Sequence, residues 1–247
     1  MATVAEIQGN ALLGALNGPD VRRVREAFEA VPLEPGQVLH EVDVPIDHVW
    51  FPRSGVLSLV NVMDDEVVIE VATIGSEGLL GVPVLLGAER TASRGLCQVA
   101  ADALRIEADR FLALVDDIPG LRRLCMLYTQ ALMTQIAQSS ACNRAHSVDK
   151  RAARWLLQTH DRVGQDSFYL TQEFLAQMLG VRRPTVSVAA AMLQDRGLID
   201  YVRGHITILD REGLEEASCE CYGIIQREFG QLLRTASERS GEQARRR

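Results

Sequence analysis

The sequence predicts an α+β chain in three successive parts: a β-rich N-terminal half, one long helix, and a helix-turn-helix carrying a β-wing. Three observations lead there. Up to about Asp117, short β-rich runs alternate with clusters of Gly, Pro and Asp. From Ile118 the apolar residues switch to helical spacing and hold it to about Asn143. Residues 170–209 then read as two short helices across a glycine turn, followed by a hairpin.

In chain order, Val21, Val24 and Phe28 keep helical spacing and predict a short leading helix. Turn signals follow at Pro35-Gly36, Pro45-Ile46-Asp47, Arg53-Ser54-Gly55, Asp64-Asp65, Gly75-Ser76 and Gly87-Ala88. Between them, residues 37–41, 48–51, 56–62, 67–73, 96–100 and 103–106 are β-rich. Several short strands at this spacing suggest a barrel or sandwich.

The long helix carries Leu121, Leu124, Cys125, Tyr128, Leu132 and Ile136 on one stripe. About 25 residues at 1.5 Å each span roughly 37 Å, more than one small barrel covers. A second copy of the helix is the economical partner; the bland alternative is a lone core helix packed on its own barrel. Leu121, Cys125, Tyr128, Leu132 and Ile136 are therefore expected in a dimer seam. Ser147 is placed to cap a further helix with Val148, Ala152, Trp155, Leu156 and His160 inward, and residues 162–166 read as a loop. Asp210 is expected to begin one last helix with Leu214, Ala217, Cys221, Ile225, Phe229 and Leu232 or Leu233 in its stripe, before a basic tail ending in Arg245-Arg246-Arg247. The domain boundaries expected are 1–117, 118–145 and 146–247.

In the helix-turn-helix, Thr171 is an N-cap candidate. Phe174, Leu175, Met178 and Leu179 share a face, Gly180 ends the first helix, and Val181 plugs the turn. Pro184 falls in the first turn of the second helix, where its missing N–H costs nothing. Val186, Ala189, Ala190 and Leu193 face inward, leaving Arg183, Ser187, Val188 and Ala191 outward. Two β-rich runs around Arg203-Gly204 form the wing, with Arg203 and His205 placed to meet phosphate. This geometry enters a DNA major groove; the bland alternative is a helical pair packed on itself.

The chain has 247 residues, 47% hydrophobic and 24% charged, with net charge −7. That balance argues against a protein that coats nucleic acid indiscriminately, but leaves room for a locally basic reading surface. No apolar run is long enough to span a bilayer. The N-terminus lacks a basic, apolar leader, so a cytoplasmic location is expected and no membrane association. Five cysteines, at positions 97, 125, 142, 219 and 221, form no regular framework and are expected as reduced thiols. On one continuous helix, Cys219 and Cys221 would point about 200° apart and could not share a metal. Cys142 and His146 have ligand-like spacing but no second pair nearby in sequence, so no metal site is expected. The five histidines do not cluster, and no P-loop, nucleophile elbow or dinucleotide fingerprint appears. An enzyme is not expected.

The order of parts, the segment 170–198 and the run Arg151-Ala-Ala-Arg-Trp-Leu-Leu-Gln resemble the cyclic-AMP receptor/FNR family of bacterial transcription regulators, over roughly residues 33–209. The resemblance implies a jelly-roll sensor domain resembling cyclic-nucleotide-binding domains, a homodimer joined along the long helices, a palindromic DNA operator, and RNA polymerase as a partner. A cyclic-nucleotide-binding-like module without DNA binding is the alternative, which the wing opposes. Members that bind cyclic AMP carry a Gly-Glu pair for the ribose and an arginine for the phosphate. Here Gly78-Leu79 stands at the first position, and Arg90-Thr91, or Arg94, at the second. Losing the carboxylate removes a charge-assisted hydrogen bond of about 1.5–3 kcal/mol, which argues against cyclic AMP. Arg90 reads equally well as a solvated loop residue. The family's iron–sulfur sensors carry N-terminal cysteines, and this chain has none before Cys97, which argues against such a cluster. The family's base-reading positions fall on Arg183, Pro184 and Val188. Ser187 can add a short hydrogen bond, and Thr171, Gln172, Arg182, Thr185 and Arg203 are placed for phosphate.

Overall fold

The computed structural model describes residues 1–63 and 68–245, with side chains as far as residue 234. The turn expected at Asp64-Asp65 and the last arginines of the basic tail lie outside the described residues. Three short helices open the chain where one was expected: α1 (Val4–Gln8), α2 (Ala11–Gly14) and α3 (Gly18–Val24). Each is too short to be stable alone, and each has a side-chain cap. Thr3 and Glu6 form a reciprocal capping box, while Asn10 and Asn17 accept from Leu13 and Asp20 amides. Fully buried Asn10 also donates to the carbonyls of Pro52 at 2.8 Å and Gly78 at 2.9 Å, pinning the segment to the barrel.

Two antiparallel sheets build the jelly roll. One has the order β1 (Glu29–Leu33), β7 (Ala101–Glu107), β3 (His48–Pro52). The other runs β2 (Val38–His40), β6 (Ser93–Val99), β4 (Val56–Val62), β5 (Val68–Ile74). All six expected strands form, within a few residues at their ends. Strand β1 was missed because Pro32 interrupts it; at a sheet edge its missing N–H is tolerated. Val49, Phe51, Leu57, Leu104 and Ile106 fill the interior. A single turn, α4 (Val82–Leu85), follows β5, and α5 (Ala108–Asp117) follows β7.

Pro119 opens α6 (Pro119–Ala145). Its apolar stripe does not wait for a second copy. Leu121, Cys125 and Tyr128 are fully buried within one chain, Leu132 nearly so, and Ile136 is half-buried. The barrel covers one flank of the stripe, and the C-terminal helix α11 (Cys221–Arg245) covers another, inserting Ile225, Phe229 and Leu232 into the same core. The expected dimer seam is thus corrected to an intramolecular one. Burying each large apolar side chain contributes about 1.5–3 kcal/mol. The surface of α6 left open carries Met126, Gln130, Met133 and Ala137, with Met126 50% and Met133 60% exposed.

The second core holds α7 (Val148–Val163), β8 (Ser167–Tyr169), α8 (Gln172–Leu179), α9 (Arg183–Asp195), the wing strands β9 (Ile199–Val202) and β10 (His205–Ile208), and α10 (Arg211–Ala217). Ser147 stands at the α7 N-cap, but its hydroxyl makes no capping bond. The single last helix expected from Asp210 is two helices, because Ser218 is extended (ψ −176°) and its hydroxyl bonds back to the Glu215 carbonyl. With the helix broken, both Cys219 and Cys221 are buried, and beside Cys142.

The two cores meet through buried polar groups. Trp155 of α7 donates its indole N–H to Glu70 of β5 at 2.9 Å, and Ser58 of β4 lies 2.8 Å from both Glu70 and Gln98. Arg162 pairs with Glu77 at 2.7 Å. Glu70 is half-buried overall, but its carboxyl end is the enclosed one. Desolvation pushes its pKa up to about 7, against the opposing pull of the Ser58 and Trp155 hydrogen bonds and the Arg154 and Arg162 charges. The folded chain therefore holds a proton that the unfolded chain releases from about pH 4.5 upward. Stability from this site is full below that pH, falls as pH rises to about 7, and is level above it. Glu70→Gln keeps an acceptor for Trp155 and removes the ionisation. Denaturant titrations between pH 5 and 8 should show wild type losing stability toward the alkaline end more steeply than the variant. Parallel slopes would show that Glu70 is ionised throughout.

Candidate nucleic-acid interface

The reading unit is built on local backbone rules. Thr171 Oγ1 accepts from the Phe174 amide at 3.1 Å and starts α8. Gly180 ends it in the left-handed region at φ +61°. Arg182 occupies the α9 N-cap without a side-chain bond, Arg183 is the first helical residue, and Pro184 follows within the first turn. Pro184 has no N–H and the Thr185 amide bonds to the Arg182 carbonyl at 2.9 Å, so this turn of α9 presents side chains to solvent more than open amides.

Val186, Ala189, Ala190 and Leu193 are buried, as their spacing predicts. Arg182, Arg183, Pro184 and Thr185 are exposed, and Val188 is 63% exposed. Ser187 is half-buried: its hydroxyl donates to Gln172 Oε1 at 2.6 Å and also approaches the Arg183 carbonyl. Gln172 and Ser187 thus hold α8 and α9 together across the face that carries Arg183. The wing turn places both Arg203 (φ +49°) and Gly204 (φ +82°) in the left-handed region, as a two-residue hairpin turn of this hand requires. A Cβ on Gly204 would also lie 3.0 Å from the Tyr169 ring.

Residues 162–166 are expected as a loop leading directly into the helix-turn-helix; α7 instead runs to Val163, and a strand intervenes. The chain continues into β8, which pairs with β10 and makes the wing three-stranded. It brings Tyr169, 56% exposed, against His205 with ring centroids 5.3 Å apart. The alternation Ser167-Phe168-Tyr169-Leu170, buried at every second residue, was the available signal.

The candidate effector residues are each engaged with other parts of the chain. Leu79 is fully buried, and a Cβ on Gly78 would fall 2.1 Å from the Tyr128 ring. Exposed Arg90 donates to the Asp43 carbonyl at 2.8 Å, Thr91 accepts from the Ser93 amide, and Arg94 pairs with Glu41 at 2.9 Å. A cleft of about 200 Å³ lies elsewhere, between the Ser76-Glu77 turn, α7 and α11, and Arg162, Gln226 and Phe229 help line it. No helix among the described residues is long and apolar enough to cross a membrane.

Comparison with known proteins agrees with this geometry. Residues 150–217 match the Crp-like helix-turn-helix domain. No curated protein sequence matches the chain. Among solved structures, FixK2 from Bradyrhizobium japonicum is 14% identical, with 78% of this chain and 98% of that one covered at a TM-score of 0.66. A CRP-family transcriptional regulator from Thermus thermophilus is 18% identical, over 76% and 96%, at 0.65. CLP from Xanthomonas campestris, a c-di-GMP-responsive global regulator, is 13% identical, over 78% and 99%, at 0.63. At such identities the likeness is one of fold.

Proposed function

On the premise of a Crp/Fnr fold bearing a Crp-like helix-turn-helix domain, we propose that this chain is a homodimeric, sequence-specific DNA-binding transcription regulator that acts by binding and not by catalysis. The observation carrying the reading is the exposed N-terminal turn of α9, where Arg182, Arg183 and Thr185 stand free of the core while Val186 and Leu193 anchor the helix. Arg183 reads a base edge; Thr171, Gln172, Arg182, Thr185 and Arg203 position the unit on phosphate. RNA polymerase is the partner such a regulator would engage, in the cytoplasm. Selection of bound genomic DNA by the purified protein, with and without cell extract, tests the reading. Enrichment of a two-fold symmetric motif with half-sites about 34 Å apart supports it; retention of random fragments alone defeats it.

The dimer seam proposed is the open ridge of α6. Met126, Gln130, Met133 and Ala137 recur at spacings of four, three and four, the heptad pattern by which two helices pack. Met133→Glu should convert a particle of twice 27.2 kDa into a monomer by sedimentation while circular dichroism shows the chain still folded, with a melting temperature that no longer depends on protein concentration. A dimer that survives this change must use another face.

The signal is proposed to enter at the cleft beside the Glu77–Arg162 pair, which touches the barrel, α7 and α11 together. Cyclic AMP is not the proposed effector: Leu79 is enclosed in the core and Arg90 is engaged with Asp43.

A further inference from the structure

Four side chains with metal-binding atoms meet at the joint between the long helix and the last helix. Cys142 and His146 come from the end of α6, Cys219 from the break between α10 and α11, and Cys221 from the start of α11. Cys142 and Cys219 are 77 residues apart in sequence. One ligand atom from each of the four lies within 4.8 Å of the other three. Cys142 Sγ is 3.5 Å from Cys219 Sγ, and Cys221 Sγ is 3.6 Å from His146 Nδ1. A tetrahedral zinc ion with Zn–S of about 2.3 Å and Zn–N of about 2.0–2.1 Å sets its ligands about 3.6–3.8 Å apart. The observed pairs fit that cage. An iron–sulfur cluster distributes its thiolates over several iron atoms and needs a wider one.

The surroundings point the same way. His146 Nε2 lies 3.3 Å from the Glu220 carboxylate, which fixes the ring so that Nδ1 faces the sulfurs. A carboxylate on the far nitrogen is the usual support of a zinc-bound histidine. Gln138 donates to Cys221 Sγ at 3.1 Å. Arg151 and Arg154 of α7 lie within electrostatic reach of Cys142, and their positive charge suits a centre with three thiolates around one divalent ion. A thiol pair alone would suit a disulfide; the third cysteine and the oriented histidine call for a cation.

We propose that Cys142, His146, Cys219 and Cys221 bind one zinc ion. Four protein ligands leave no open position, so the site is structural and not catalytic. Binding displaces the thiol protons. The ion would fasten the end of α6 to the segment following the wing. If the chain reads DNA as proposed above, zinc occupancy then sets the orientation of the reading unit on α6; the metal test itself does not depend on that.

The test uses the full chain, purified under reducing conditions. Elemental analysis should find one zinc per chain. Cobalt added to the chelator-stripped protein should give thiolate-to-cobalt charge transfer and strong tetrahedral visible bands. Cys219→Ser and Cys221→Ser should weaken the charge-transfer band and lower metal affinity. Glu220→Gln, a change at an exposed residue, should lower zinc affinity about 10–100-fold, while Cys97→Ala should leave the stoichiometry at one. Circular dichroism on each variant separates metal loss from unfolding. Less than a tenth of an equivalent of zinc with octahedral cobalt, iron with acid-labile sulfide, or a Cys142–Cys219 disulfide in metal-free protein would each overturn the site. DNA affinity, measured separately with and without chelator, tests only the coupling.

Discussion

Tyr128→Asp is expected to unfold the barrel end of the molecule, not merely to separate two chains. Tyr128 has no exposed surface; its ring sits against Gly78 and 6.2 Å, centroid to centroid, from Phe229. The substitution deletes a large aromatic group and leaves a carboxylate among Leu121, Leu124, Cys125 and Leu132. Truncating a buried aromatic residue costs about 3–5 kcal/mol, and an unpaired buried charge costs a comparable amount. The total approaches the whole stability of an ordinary domain, about 5–15 kcal/mol. Thermal melting of the variant should show a collapsed or absent transition at every protein concentration. A cooperative transition near the wild-type temperature, with loss of dimer alone, would restore Tyr128 to an intermolecular seam.

Arg183→Ala should reshape the selected DNA motif. Arg183 is exposed at the first position of α9 and is the only residue of its face able to pair with both guanine O6 and N7. Val188 offers apolar contact, and the Ser187 hydroxyl is engaged with Gln172. Removing the guanidinium should cost about 1–3 kcal/mol against the preferred site and relax one base pair per half-site. Arg203→Ala, at the wing tip, should weaken all sequences alike and flatten the salt dependence. Repeating the genomic selection with both variants distinguishes them. An unchanged motif for Arg183→Ala means that the recognition helix sits in another register.

What the sequence made legible followed from short-range rules. Gly180, Pro184 and the buried run Val186, Ala189, Ala190, Leu193 fix α8 and α9 locally, and the structure has them where their spacing put them. The strands bounded by Gly and Pro turns were readable for the same reason. What failed depends on contacts far apart in the chain. The stripe on α6 was readable as apolar, but its cover, Ile225 and Phe229, comes from residues about a hundred positions later. Helical phase put Cys219 and Cys221 on opposite sides; Ser218 interrupts the phase, and neither residue type nor spacing announced it. The grouping of Glu70 with Trp155 is equally non-local. Of the effector residues, Leu79 and Arg90 were chosen by analogy of position, and the fold engages each with other groups.

The covering of α6 by α11 also bears on how this molecule is made. The helix-turn-helix unit leaves the first core after α6 and rejoins it at α11, entering and departing at neighbouring points. It is in effect a domain inserted into another, the kind of arrangement that closely spaced termini permit. During synthesis the jelly roll and α6 emerge first, yet Ile225, Phe229 and Leu232 are delivered only after the whole inserted unit has been translated. At a ribosomal speed of about 5–20 residues per second, the Leu121–Leu132 stripe stays partly bare for several seconds. That interval, and not any weakness of the finished fold, is when a nascent chain of this design is most open to chaperones and to aggregation.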